Sequence, residues 1–167
     1  ERANVKEDIL KGMYLLQEAE GTGHHKVQLM GSGVILEEVI RGAELLKQDF
    51  NIDADIWSVT SFNLLHRNLK EVERHNRLHP TGEQKVAFVT TQLAGHEGPV
   101  VASTDYIREF AERVRAGIKA DYTVLGTDGF GRSDSRANLR RFFEVDRYHV
   151  VVAALNGLAN EGKIGKE

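Results

Sequence analysis

The sequence of 167 residues contains no cysteine, which removes disulfides, thiolate nucleophiles and Cys-ligated metals together. That absence is compatible with a cytoplasmic location. Proline is scarce, at 2 residues, and with no internal repeat or low-complexity tract no linker divides the chain. Neither sign of charge dominates: 22 Lys and Arg face 25 Asp and Glu, for a net charge of -3. Such a balance argues against a dedicated partner among nucleic acids or anionic membranes. Long apolar runs are missing too, since residues 150–155 fall far short of the roughly 20 needed to span a bilayer. There is no nucleophile elbow of the form Gly-x-Ser-x-Gly and no Walker-type phosphate loop. No initiating Met and no charged-then-apolar leader open the chain, so Glu1 is expected to be a domain boundary.

What remains is ordinary for a globular protein, with 41% hydrophobic and 28% charged residues. The length fits one domain burying roughly 70% of the surface its unfolded chain would expose. Short β-like runs alternate with helical patterns. Residues 26–30 read as a strand ending at Gly31-Ser32-Gly33. A helix follows with Ile35, Val39, Ala43 and Leu46 on one face, Ser32 as its N-cap, and a stop at a turn over 51–53. Residues 54–59 alternate apolar and polar as a half-buried strand does, and 62–77 form a His-rich helix with Leu65, Leu69 and Val72 inward.

Residues 86–90 and 99–102 are further strand candidates around the loop at 95–98. Asp105 or Thr104 is expected to cap a helix facing inward through Ile107, Phe110, Ala111 and Val114. Residues 122–125 read as a strand, a helix beginning near Ser133 carries Leu139, Phe142 and Phe143, and Asp146 caps a last helix through Leu158. Residues 4–11 look helical, whereas 13–16 fit a helix end or a strand. Strands separated by helices imply right-handed crossovers and a three-layer α/β/α sandwich of about five strands.

The candidate chemistry is sparse. Gly31, Ser32 and Gly33 form a strand-to-helix turn whose amides would attract an anion, but the dinucleotide fingerprint needs a third glycine where Leu36 stands. Asp53 and Asp55 lie at the distance of a ribose-binding acid yet next to turn residues. Seven histidines are present without metal-ligand spacing: His75 and His79 precede Pro80, and His66, His96 and His149 have no carboxylate partner evident in sequence.

The most unusual segment is 125–136, LGTDGFGRSDSR. Its three glycines permit close approach by another surface, and Phe130 sits between two of them, where an exposed aromatic finds a partner to cover it. Arg132, Arg136 and Arg140 recur at intervals of four. Two readings stand: a docking loop with Arg–carboxylate pairs across the contact, or a solvated helix face beside a mobile loop.

This segment closely resembles the C-terminal region of the homodimeric bacterial pyruvate dehydrogenase family. The similarity extends through 11–14 (KGMY), 27–33 (VQLMGSG), 56–62 (IWSVTSF), 78–80 (LHP), 101–106 (VASTDY), 143–146 (FEVD) and 150–155 (VVVAAL). The resemblance implies a transketolase C-terminal domain fold: three layers around a mixed, mostly parallel five-stranded sheet with its first strand antiparallel, near residues 12–17. It implies that residues 1–167 are a single domain, a fragment of a larger subunit. In that family thiamine diphosphate and Mg2+ are held by two preceding domains, where pyruvate is decarboxylated and the acetyl group passed to a lipoyl arm.

No residue of this chain matches the diphosphate-holding motif, so no catalytic, cofactor or metal role is carried over, and the chain alone is expected to be inactive. Its expected partners are the other domains of the subunit, a second copy, and the lipoyl-bearing acetyltransferase. Asp128, Phe130, Arg132, Asp134 and Arg136 are the expected docking loop. A small-molecule or nucleotide-binding module using Gly31–Gly33, or a free-standing interaction domain, are the alternatives.

Overall fold

The computed structural model describes residues 5–165. Helix α1 (Val5–Lys11) leads through Gly12 into strand β1 (Met13–Gln17), which resolves the ambiguous stretch as a helix followed by a strand. Asn4, expected in that helix, lies outside the described residues. Then come β2 (His25–Gly31), α2 (Leu36–Phe50), β3 (Ile52–Val59) and α3 (Phe62–Leu78). The second half holds α4 (Phe88–Gln92), β4 (Val100–Ser103), α5 (Arg108–Glu112), β5 (Tyr122–Leu125), α6 (Arg136–Phe142) and α7 (Arg147–Asn160).

The strands lie in the order β1-β3-β2-β4-β5; β1 runs antiparallel to β3 and every other pairing is parallel. Alternation along each strand divides the core in two. Val27, Leu29, Ala54, Ile56 and Val101 meet Val39, Leu46, Val150, Ala154 and Leu158 from α2 and α7. On the opposite face Met30, Trp57, Val59, Ala102 and Val124 pack with Phe62, Leu65, Leu69, Val89 and Ala111 from α3, α4 and α5. Helices therefore cover both faces, which is the three-layer α/β/α sandwich with a mixed sheet.

Caps and turns explain several boundaries. Asn51 ends α2 in the left-handed region at φ 52, and Asp146 opens α7 by accepting the Tyr148 and His149 amides at 3.1 and 3.0 Å. Ser32 is not the N-cap of α2: it has the extended backbone of a cap but precedes a 3-10 turn at Gly33–Ile35 and makes no side-chain cap bond, and Ile35 holds the cap position of α2. Asp53 lies within β3 rather than in a turn.

Three further expectations need correction. Residues 86–90 are not a strand: Asn68 Oδ1 accepts the Phe88 amide at 2.7 Å, and Thr91 N–H returns to Ala87 O at 2.9 Å, closing the short helix α4. Neither Thr104 nor Asp105 caps α5. Thr104 Oγ1 accepts the Tyr106 amide at 3.2 Å within a turn, and Ile107 occupies the N-cap without a side-chain bond. Helix α6 starts at Arg136, not near Ser133, because Ser135 Oγ accepts the Asn138 amide at 3.3 Å.

Candidate functional site

The carboxyl ends of β2, β4 and β5 share one edge of the sheet, where open α/β folds present their crevices. At the end of β5, Gly126 lies against the turn after β4; a Cβ there would stand 2.9 Å from Tyr106 O, so only glycine fits. Thr127 N–H donates to Tyr106 O at 2.9 Å and its hydroxyl donates to Asp105 O. Asp128 accepts from the Arg108 amide at 2.9 Å and from Arg108 Nε at 2.7 Å. These bonds, the amide first, hold the Asp128 carboxyl below its usual range. The base of the loop is thus stapled to the neighbouring turn.

Beyond the staple the chain projects. Phe130 is 96% exposed, the most exposed large hydrophobic residue described. Arg132 lies over the Phe142 ring with its guanidinium carbon 4.0 Å from the centroid, and Phe142 is itself exposed. Asp134 Oδ1 accepts from Asn138 Nδ2 at 2.8 Å and from the Ser135 amide at 2.6 Å, which lowers its pKa in that order of influence. Arg136 lies on the rim of an apolar cavity of about 300 Å³ lined by Val34, Ile35, Leu139, Phe143 and Val145.

The expected row of arginines is not a single pairing face. Arg140 turns inward, donating from Nη1 to Glu38 Oε1 at 2.7 Å, and Arg147 Nε donates to Glu38 Oε2 at 2.9 Å. Glu38 is buried, and its pKa is lowered chiefly by the Arg147 hydrogen bond against the opposing effect of burial. This triad ties α2 to α6 and α7. Arg132 and Arg136 remain as the outward cations of the predicted loop.

The turn at Gly31, Ser32 and Gly33 is less open to an anion than its sequence suggests. The Ser32 amide already donates to Ser103 O at 3.2 Å, and a Cβ on Gly33 would stand 3.3 Å from Asp105 Oδ1. A carboxylate therefore borders the place a second anion would take.

Sequence reasoning missed a buried polar network within the sheet. Asp55 in β3 is fully buried and accepts from Lys26 Nζ at 2.8 Å, His96 Nδ1 at 2.6 Å, the Ala19 amide at 2.9 Å and Gln28 Nε2 at 3.1 Å. Trp57 Nε1 donates to Gln28 Oε1 at 2.8 Å, and the Trp57 and His96 rings meet edge-on at 4.9 Å. His96 thus has a carboxylate partner, 41 residues away. His149 has one as well, Asp146 at 2.7 Å, on the first turn of its own helix. Among the described residues no group of three or more His, Asp or Glu side chains is placed to hold a metal ion.

Four parallel strands, one antiparallel edge strand, helices on both faces and a projecting loop after the last strand define a three-layer α/β domain of mixed sheet. Residues 12–146 match the model of the transketolase-like TK C-terminal domain, and the chain belongs to that family. It is also 56% identical to the pyruvate dehydrogenase E1 component of Pseudomonas aeruginosa over 161 residues, covering 96% of this chain and 18% of that protein. Its identity to the E1 component of Escherichia coli K12 is 51%, covering 98% of this chain and again 18% of the relative. The chain therefore spans about a fifth of the length of these curated relatives. Among solved structures, the transketolase of Leishmania mexicana matches with a TM-score of 0.59 at 18% identity, covering 96% of this chain and 20% of that one. At that identity the likeness concerns the fold.

Proposed function

We propose that this chain is a non-catalytic domain of a pyruvate dehydrogenase E1 subunit, and that it completes interdomain packing and the homodimer through its carboxyl-edge loop. The observation that carries this reading is Phe130, held outward at 96% exposure on a loop whose base is fixed by the Asp128–Arg108 staple. An apolar ring kept in water by a fixed loop gains stability only when another surface covers it. Val34 and Tyr106, each more than half exposed on the same edge, widen the apolar surface. The identity to E1 components supports the choice of enzyme.

On this reading residues 1–167 are one domain of a larger cytoplasmic subunit. Thiamine diphosphate and Mg2+ belong to the rest of that subunit, which decarboxylates pyruvate and passes the acetyl group to the lipoyl-bearing acetyltransferase. This chain contributes position rather than chemistry and is inactive by itself.

The test is made in the full-length subunit. Phe130→Ala and Arg132→Ala are each expected to raise the dimer dissociation constant or lower the melting temperature, with about tenfold weaker association for the aromatic. Both quantities remaining at wild-type values in both variants would remove the loop from the assembly.

A further inference from the structure

The carboxyl edge also carries a charge that packing alone leaves unexplained. Residues 126–143 contain four arginines and two aspartates, a local balance of +2 in a chain whose net charge is -3. Both aspartates are engaged locally: Asp128 by Arg108, Asp134 by Asn138 and Ser135. Arg140 is taken by Glu38. Among the described residues, Arg132, Arg136 and Arg141 have no carboxylate within ion-pair distance. Arg136 stands where the rim of the cavity meets water, and the walls behind it are Val34, Ile35, Leu139, Phe143 and Val145. Asp105 also lines the cavity and disfavours a negative group close to it, whereas Arg136 attracts one.

A cavity of about 300 Å³ is at the lower end of the range for ligand pockets and suits one large apolar side chain. An unpaired guanidinium beside it suits a carboxylate attached close to that side chain. Resting on the docking reading of this edge, we propose that the cavity receives the apolar anchor of an acidic protein segment, and that Arg136 binds a carboxylate flanking that anchor. The apolar contact supplies affinity, and the arginine selects the sign of the partner.

The experiment is a chemical-shift titration of the 167-residue chain with three capped pentapeptides: Glu-Asp-Phe-Asp-Glu, the same peptide with Lys at the four acidic positions, and the acidic peptide with Ser for Phe. The acidic Phe peptide is expected to give saturable shifts at the methyl groups of Val34, Leu139 and Val145. The basic peptide and the Ser peptide are each expected to bind about tenfold more weakly or worse. Arg136→Gln, at an exposed position, is expected to leave the melting temperature unchanged, to weaken the acidic peptide about tenfold and to reduce its dependence on salt. Equal binding of acidic and basic peptides, shifts confined to another surface, or no saturable shift at millimolar peptide would each overturn the proposal. If that happens while Phe130→Ala still weakens the full-length dimer, the docking loop stands and only the acidic partner is refuted.

Discussion

Replacing Asp55 with alanine is expected to lower the free energy of unfolding by about 3–5 kcal/mol, the range for removing one partner from a buried ion pair. Asp55 is fully buried, and its carboxylate gathers Lys26, His96, Gln28 and the Ala19 amide. Lys26 can turn partly toward water, and Gln28 Nε2 keeps its second bond to Glu97 O at 2.9 Å. The Ala19 amide and the His96 ring are only partly exposed, so the loss falls mainly on the segment entering β2 and on the loop before β4. Burial alone would raise the Asp55 pKa, but the four donors outweigh it and hold it below 3.8.

The sign of the pH dependence follows from that shift. A carboxyl whose folded pKa is depressed stabilises the fold above its unfolded value near 3.8, and that contribution fades as pH falls through the lower folded value. Urea unfolding of wild type and Asp55→Asn should therefore show a gap that is full at neutral pH and narrows below about pH 4. A gap that is constant with pH would mean that the carboxylate charge contributes nothing.

Gly98→Ala is expected to be at least as damaging, costing more than about 4 kcal/mol, the level at which a single substitution marks a specific structural conflict. Gly98 has φ +93, and a Cβ there would lie 1.8 Å from Lys26 O. The obstacle is backbone of β2, which cannot step aside without breaking the bond from the Gln28 amide to Pro99 O at 2.9 Å. Gly95 supplies the control. It has φ +82, yet nothing lies within 4 Å of its Cβ position, so Gly95→Ala should cost only the left-handed strain of about 1–2 kcal/mol. Similar unfolding midpoints for the two variants would show that the close approach to β2 is not what requires glycine at 98.

Much of the fold is legible in the sequence because local rules and burial agree. Val27 and Leu29 alternate with Gln28 and Met30 in β2, and both faces of that strand are covered. Residues 86–90 mislead for the opposite reason. Val86 and Phe88 alternate like a strand, but Asn68 on α3 captures the Phe88 amide, and no spacing rule connects positions 20 apart.

The same limit governs the site. The glycines around Phe130 are local and legible in the sequence, whereas the start of α6 falls three residues later than the expected position near Ser133 because Ser135 takes the cap. Glu38 reaches Arg140 and Arg147 across 102 and 109 residues, so the diversion of Arg140 from the arginine row is invisible until α6 and α7 come against α2. Asp55 misleads in the same way. It occupies a polar position of the alternation read as a half-buried strand, but β3 is buried along its whole length, so the carboxylate must find its partners inside, and those partners lie far away in sequence.

Hydrogen–deuterium exchange, compared between the 167-residue chain alone and the same residues within a full-length E1 subunit, tests the docking role most directly. The amides from Gly129 to Ser133 should exchange quickly in the free chain and become strongly protected in the larger protein, while those of the central strands β2 and β3 stay slow in both. Equal, rapid exchange of the loop in both settings would mean that Phe130 meets nothing there, and the carboxyl edge would not be a docking surface.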